Sequence, residues 1–326
     1  MLTPLVSVII ATYNRDLFVA QAIESAQNQT VNNIEIIVVD DGSTDSTPQM
    51  LAPFSGHIRV VRQSNQGRSA ARNAGVSHAR GDIIAFLDSD DIWVPDKLEK
   101  QLSVFSDRPE VGLVHTLTDV VDGNGSRIYQ QTRRRWHLYQ RALERGYTYE
   151  AMSEQCIMFL STVAVRRDCW RRVGPMDVGI PAFEDWDWYL RAVMSTEIAT
   201  VPEVLVHFRH HTDNTPSHEF FEGRVRTCQK HLALLEERPK SARNDRARRN
   251  FYLQLAGAHY VAGSVASAVQ WMRKAVRLTP TVLLHPSYFR YSLAMFLPAG
   301  IFNGMRWISR QFSHETSNDS TSAYRS

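Results

Sequence analysis

The chain has 326 residues, 43% hydrophobic and 22% charged, a globular composition that excludes a mostly disordered or fibrous chain and suits one large domain with an extension, or two domains. Its formal net charge of +3 conceals two unlike parts: residues 1–223 carry 21 basic and 29 acidic side chains, net −8, whereas residues 224–326 carry 16 and 5, net +11. No run reaches the roughly 18 uninterrupted apolar residues of a membrane span, and the apolar start of the chain lacks a preceding basic region, so neither a span nor a signal peptide is expected. Three cysteines, Cys156, Cys169 and Cys228, lack metal-ligand spacing and read as buried thiols of a cytoplasmic protein.

Along residues 5–90, short β-branched runs (6–11, 35–40, 58–61 and 83–87) alternate with segments of helical spacing. Near-continuous apolar strands separated by helices indicate a parallel sheet covered on both faces, an α/β fold. Thr47-Pro48 reads as a helix N-cap with proline at the first helical position. From residue 111 to about 208 the pattern is mixed. Strand-like pieces at 112–121, 157–165 and 198–208 surround an arginine-rich segment at 133–135 and an expected helix over 184–194. Beyond His218 the chain reads as helices over 219–236, 242–262 and 265–278, with Arg238-Pro239-Lys240 as a break. Residues 252–280 are similar to one tetratricopeptide-type helical hairpin, a unit that solenoids normally repeat about three times; a cap on the catalytic domain and a partner-binding surface both remain open.

Chemistry concentrates at the carboxyl ends of the strands, where open α/β sheets bind ligands. The second strand ends in VVDDGSTDST, placing Asp40 and Asp41 where the backbone leaves the sheet, although Asp-Gly-Ser-Thr also suits a turn and helix cap. The run IIAFLDSDD delivers Asp88, Asp90 and Asp91 to one strand end. Acids so crowded repel one another unless a cation or donors neutralise them, and oxygen-rich sites suit hard divalent ions that clamp a diphosphate. No G-x-G-x-x-G follows the first strand, which excludes a dinucleotide-dependent oxidoreductase.

With ATYNR at residues 11–15 and QGRSAARNAG at 66–75, these motifs make residues 5–217 resemble a family 2 glycosyltransferase of the GT-A fold, a Rossmann-like mixed sheet flanked by helices. The resemblance implies an inverting transfer from a nucleoside-diphosphate sugar, UDP-linked on the family resemblance alone, to a saccharide or glycoconjugate acceptor, with Mn²⁺ or Mg²⁺ as cofactor. It implies that Ala11, Thr12 and Tyr13 line the base and ribose pocket, that Asp41 with Asp40 accepts from the base, and that Arg68 and Arg72 contact the nucleotide, Arg72 being equally suited to a structural role. Asp88 falls on the ribose or sugar hydroxyls, Ser89 on the nucleotide, and Asp90 on the metal. In PAFEDWDWYLRA, residues 181–192, Asp185 is implied as the general base, with Glu184, Trp186 and Trp188 walling the acceptor and sugar pocket; a helix cap is the plain alternative for Asp185. In VHFRHHTDNTPS, residues 206–217, His211 is implied at the metal or diphosphate, against a surface histidine pair.

The expected organisation is a catalytic domain at 1–217, split into a nucleotide-sugar half at 1–110 and an acceptor half at 111–217, then a helical region at 218–311 and a disordered tail at 312–326. The basic helices, with no nucleic-acid motif beside them, suit an anionic acceptor or peripheral contact with an anionic membrane surface. Residues 281–311 are similar to an interfacial amphipathic segment, with packing on the catalytic domain as the alternative. A catalytically inactive nucleotide-sugar-binding or scaffold protein is the alternative function.

Overall fold

The structure, a computed structural model, describes residues 5–211 and 217–284. In chain order the first elements are β1 (Val6–Thr12), α1 (Val19–Gln27), β2 (Ile34–Asp40), α2 (Thr47–Leu51), β3 (Arg59–Arg62), α3 (Arg68–His78), β4 (Ile83–Phe86), β5 (Ile92–Trp93), α4 (Lys97–Asp107) and β6 (Val111–Val121). They are followed by α5 (Tyr129–Arg145), α6 (Tyr149–Glu154), β7 (Ala164–Arg166), α7 (Arg167–Val173), α8 (Glu184–Ala192), β8 (Glu197–Arg209), α9 (Ser217–Glu236), α10 (Ala242–Val261) and α11 (Val265–Leu278).

The strands form one mixed sheet in the order β3-β2-β1-β4-β7-β6-β8-β5. β1 to β4 are parallel to their neighbours in this group, with Thr12 opposite Asp40 and Ile9 opposite Phe86. This register brings the chain ends that carry Thr12-Tyr13, Asp40-Asp41 and Asp88 to the same edge. β1 and β2 read as continuous apolar runs because they are covered on both faces: Val6, Val8, Ile10, Val38 and Ala85 pack with Val19, Ala22 and Ile23 of α1. On the other face, α3 approaches β1 closely at Gly75, where a built Cβ would stand 2.5 Å from Ile9 Cγ2.

β7 pairs antiparallel with both β4 and β6, and β6 runs parallel to β8. Here the expected strand at 157–165 is corrected: only Ala164–Arg166 is a strand, preceded by a 3₁₀ turn at Leu160–Thr162. Its backbone is diverted because Thr162 Oγ1 donates to Phe159 O at 2.6 Å and Ser161 faces the acidic loop instead of a sheet neighbour. The expected cap at Thr47 shifts by one residue. Ser46 is the N-cap of α2, and Thr47 Oγ1 accepts from Arg15 N at 2.8 Å.

Contact density divides the chain into a first unit ending at Lys230 and a second starting at His231, inside α9. In the second unit α10 and α11 form a hairpin around Leu253, Ala256, Met272 and Ala275. Its turn passes through Gly263 at φ +92°, a left-handed conformation suited to glycine. The interfacial character expected of 281–311 and the tail expected at 312–326 fall, beyond Leu284, outside the described residues. Among the described residues no helix is long and apolar enough to cross a membrane.

Candidate active site

The site is assembled at the carboxyl edge of the sheet from four loops. β1 ends at Thr12, and the chain turns at Asn14, whose φ of +51° suits asparagine better than most side chains; a tertiary bond fixes it there, since Asn14 Oδ1 accepts from Thr44 N at 2.8 Å. Tyr13 is thereby left 43% exposed, offering a ring face at the edge. Ala11 is half-buried and Thr12 buried.

Asp40 and Asp41 are both buried and serve the loops around them. Asp40 Oδ1 accepts from Ser43 N at 2.9 Å, and its other oxygen pairs with Arg62 at 3.5 Å. Asp41 accepts from Gln63 Nε2 at 2.7 Å, Gln66 N at 3.0 Å and Gly67 N at 2.9 Å. Those bonds hold the segment that enters α3, the loop-building one of the two roles open to this motif. Arg68, at the start of α3, pairs with Glu219 of α9 at 3.3 Å.

Arg72 lies one turn further along α3, 7% exposed. It donates to Asp88 Oδ1 at 2.7 Å and also to Glu184 Oε1. Burial alone would lower the pKa of this guanidinium, but the charges of Asp88 and Glu184 outweigh it and hold it protonated. Of the two roles open to Arg72, the structure displays the positioning one.

The three acids of the second motif occupy different environments. Asp91 is 1% exposed and is fixed from two sides, by Ser161 Oγ at 2.5 Å and by Arg209 N at 3.0 Å. Burial, then the neighbouring charges of Asp90 and Asp88, raise its pKa well above the ordinary carboxylate range. Ser89 is buried between the acids, and Asp88 N donates to Ser161 Oγ at 3.0 Å. Asp90 points the other way. Its Oδ2 lies 3.0 Å from His211 Nε2 and 3.3 Å from Arg15 Nε. Burial would raise the Asp90 pKa, but the His211 hydrogen bond and the Arg15 charge prevail and lower it. His211 packs against Phe18 with ring centroids 4.8 Å apart, so α1 sets its orientation.

Asp90 Oδ2 and His211 Nε2 are hydrogen-bonded to each other, and opening that bond would offer a cation one carboxylate oxygen and one imidazole nitrogen. The carboxylate suits Mn²⁺ or Mg²⁺ when phosphate oxygens and water fill the remaining positions. Among the described residues no group of three or more His, Cys, Asp or Glu side chains is placed to hold a metal ion, so this protein pair would hold the ion only together with such outside ligands.

Glu184 and Asp185 open α8 after Phe183, which adopts φ +63°, an uncommon conformation for a bulky residue and one that needs support. Support comes from α9: the Arg224 guanidinium stacks 4.8 Å from the Phe183 ring, and Phe220 lies 5.6 Å away. Asp185 Oδ1 accepts from Trp186 N at 2.7 Å. Burial, reinforced by the charge of Glu184 and opposed by Arg72, pushes the Asp185 carboxyl up to about 7, where it exchanges a proton readily at neutral pH.

The tryptophans correct an expectation. Trp186 and Trp188 are each 1% exposed and donate their indole N–H groups to Met152 O and Gly174 O, both at 2.8 Å. They present no ring to solvent; α8 is amphipathic and turns them into the core, with Trp188 stacked on Trp170 at 5.0 Å. Glu184 is likewise buried and belongs to Arg72, not to an open wall. Two residues join the site that were assigned no role from sequence. Arg15 stands in the ATYNR motif and was therefore within reach, whereas Ser161 has no local signal.

An α/β sheet with acid-bearing loops after β2 and β4 at its carboxyl edge, joined by the acidic start of α8, is the architecture of the GT-A nucleotide-sugar transferases. Solved structures share it: Staphylococcus aureus TarS 1-349 in complex with UDP-GlcNAc matches with TM-score 0.64 at 16% identity, covering 89% of each chain. The mannosyltransferase PcManGT from Pyrobaculum calidifontis, in complex with GDP-Man and Mn²⁺, matches with TM-score 0.55 at 18% identity, covering 90% of this chain and 85% of that one.

The model of glycosyl transferase family 2 matches residues 7–167. An uncharacterized glycosyltransferase of Nostoc sp. is 34% identical over 214 residues, 64% of this chain, which in turn spans 66% of that relative's length. The chain belongs to glycosyl transferase family 2.

Proposed function

We propose that the protein transfers a sugar from a UDP-linked donor to a hydroxyl of a saccharide or glycoconjugate acceptor, with inversion at the anomeric carbon and with help from Mn²⁺ or Mg²⁺. The observation that carries this reading is the Arg72 bridge between Asp88 and Glu184. It ties the acidic loop after β4 to the start of α8, beside an Asp185 carboxyl poised near neutral pH. Donor-side and acceptor-side groups thus share one buried guanidinium.

In this reading the exposed Tyr13 ring covers the base, while the loop held by Asp41 closes over the nucleotide. Asp88 orients a donor hydroxyl, and Asp90 with His211 would hold the cation. When bound, it would supply positive charge to offset that of the departing nucleoside diphosphate. Asp185 takes the proton of the acceptor hydroxyl as it attacks the anomeric carbon, and Arg72 keeps the surrounding carboxylates in place. UDP is preferred over GDP on the family resemblance and on TarS, whose structure holds UDP-GlcNAc; the GDP-Man of PcManGT marks the competing donor. The basic final third is proposed to bring the enzyme to an anionic acceptor or membrane surface.

Release of UDP from UDP-sugars, followed with and without Mn²⁺ and compared with GDP-mannose, tests the reading. Metal-dependent turnover of a UDP-sugar supports it; turnover of the GDP-sugar alone would replace the donor assignment.

A further inference from the structure

Apart from the site above, the first unit has a cleft of about 190 Å³ lined by Ile92, Asp119, Val121, Gly125, Arg127 and His207. Three adjacent strands build it. Asp119 of β6 lies opposite His207 of β8, and Ile92 of β5 lies opposite His207 from the other side. After β6 the chain turns and bridges back from Arg127 to Val121, which carries the Arg127 guanidinium onto Asp119 Oδ2.

That ion pair leaves polar capacity unused. Asp119 is 1% exposed, yet among the described residues its Oδ1 finds no hydrogen-bond donor and the buried His207 Nδ1 no partner. Buried polar groups in folded proteins are almost always bonded, so each exception asks for a ligand or water to complete it. The cleft is smaller than a drug-sized site and has room for one small ring; like such sites it combines apolar walls with a few convergent polar groups.

Charge selects the ligand class. Asp119 and Arg127 cancel, and burial lowers the His207 pKa, a shift that the Asp119 charge opposes and the Arg127 charge assists. An anion placed here would meet the Asp119 carboxylate, and a cation would meet Arg127. A neutral ring bearing hydroxyls satisfies both, donating to Asp119 Oδ1 and accepting from the guanidinium, while its C–H face rests on Ile92 and Val121. We propose that this cleft is a second saccharide subsite, holding a neutral pyranose through Asp119, Arg127 and His207. The strands that line it continue into the catalytic loops, since Ile92 follows Asp91 and β8 runs on toward His211. The ring seated in the cleft is therefore a unit of the acceptor other than the one that receives the transferred sugar. Only this acceptor role rests on the proposed reaction; sugar binding in the cleft does not.

Saturation-transfer NMR on the full chain without nucleotide, using the methyl pyranosides of glucose, galactose, mannose and N-acetylglucosamine and methyl glucuronide as the anionic contrast, tests the subsite. At least one neutral pyranoside is expected to bind, with affinity reduced tenfold or more by Asp119→Asn while Mn²⁺-dependent UDP binding is unchanged. Ile92→Phe narrows the cleft without altering a charge and gives the same reading where Asp119→Asn fails to fold. No binding by the unmodified chain, a preference for the glucuronide, or full binding by the folded variants would overturn the proposal. Sugar binding that follows these expectations in a chain that binds no nucleotide would keep the subsite and overturn the transferase reaction instead.

Discussion

Arg72 and Asp88 are joined by a hydrogen bond of 2.7 Å, and the same guanidinium also reaches Glu184, so two motifs separated by almost a hundred residues depend on one side chain. Replacing Arg72 by Ala strips Glu184, 3% exposed, of its counter-charge. Breaking a buried pair from one side typically costs about 3–5 kcal/mol. A lower melting temperature is expected for Arg72→Ala, with a large loss of kcat. Arg72→Lys should recover stability better than activity, because an ammonium lacks the planar fork that serves two carboxylates. Urea melts alongside turnover of both variants would check this.

Asp185→Asn should lower kcat by about 10²–10⁴-fold, the usual contribution of a general base, while leaving nucleotide affinity nearly unchanged. Wild-type activity should rise with pH through about 7, the value to which burial and Glu184 push this carboxyl, and that limb should vanish in the variant. Stability follows the opposite direction. Between the ordinary carboxylate pKa and about 7, the folded chain keeps a proton that the unfolded chain has released, so Asp185 lowers stability as pH rises through this window. The Asn variant should therefore melt at a higher temperature than the wild type above pH 7.

Asp90→Asn removes the charge, and His211→Ala the ring nitrogen, of the pair 3.0 Å apart. Calorimetric titration with UDP should show the Mn²⁺-dependent gain in affinity fall by about 10–100-fold in either variant, the scale seen for disturbed metal sites. Affinity measured in chelator should change little.

Gly223 of α9 faces the loop before α8 so closely that a built Cβ would stand 1.9 Å from Ala182 O. Because the obstacle is backbone, Gly223→Ala must displace the loop that carries Phe183. A loss of about 1–3 kcal/mol is expected, as for overpacked interiors, together with reduced kcat from the shifted Asp185. Thermal melts and turnover of this variant give both readings.

The legible parts of this molecule are those where local sequence and tertiary position agree. β1, β2 and β4 are buried on both faces and spell it out as apolar runs, and the acids that follow them fall at one edge because parallel strands share a direction. Asp90 and His211, the first implied at the metal and the second at the metal or diphosphate, are hydrogen-bonded to each other at 3.0 Å. Trp186 and Trp188 were less legible, because a tryptophan beside an acidic pair suits a sugar platform or a core equally well; only the facing of α8 decides. Ser161 gave no signal at all, since its bond to Asp91 at 2.5 Å joins residues seventy positions apart. The strand expected at 157–165 shortened for a related reason: its residues serve the acidic loop before they serve the sheet.

The most direct measurement of the central claim is a thermal-shift panel of UDP, UDP-sugars and GDP-mannose, each with and without Mn²⁺. The account predicts that UDP or a UDP-sugar raises the melting temperature, that Mn²⁺ enlarges the rise, and that Asp90→Asn abolishes the enlargement. A panel in which no nucleotide stabilises the protein, or in which Mn²⁺ makes no difference to any of them, would contradict it.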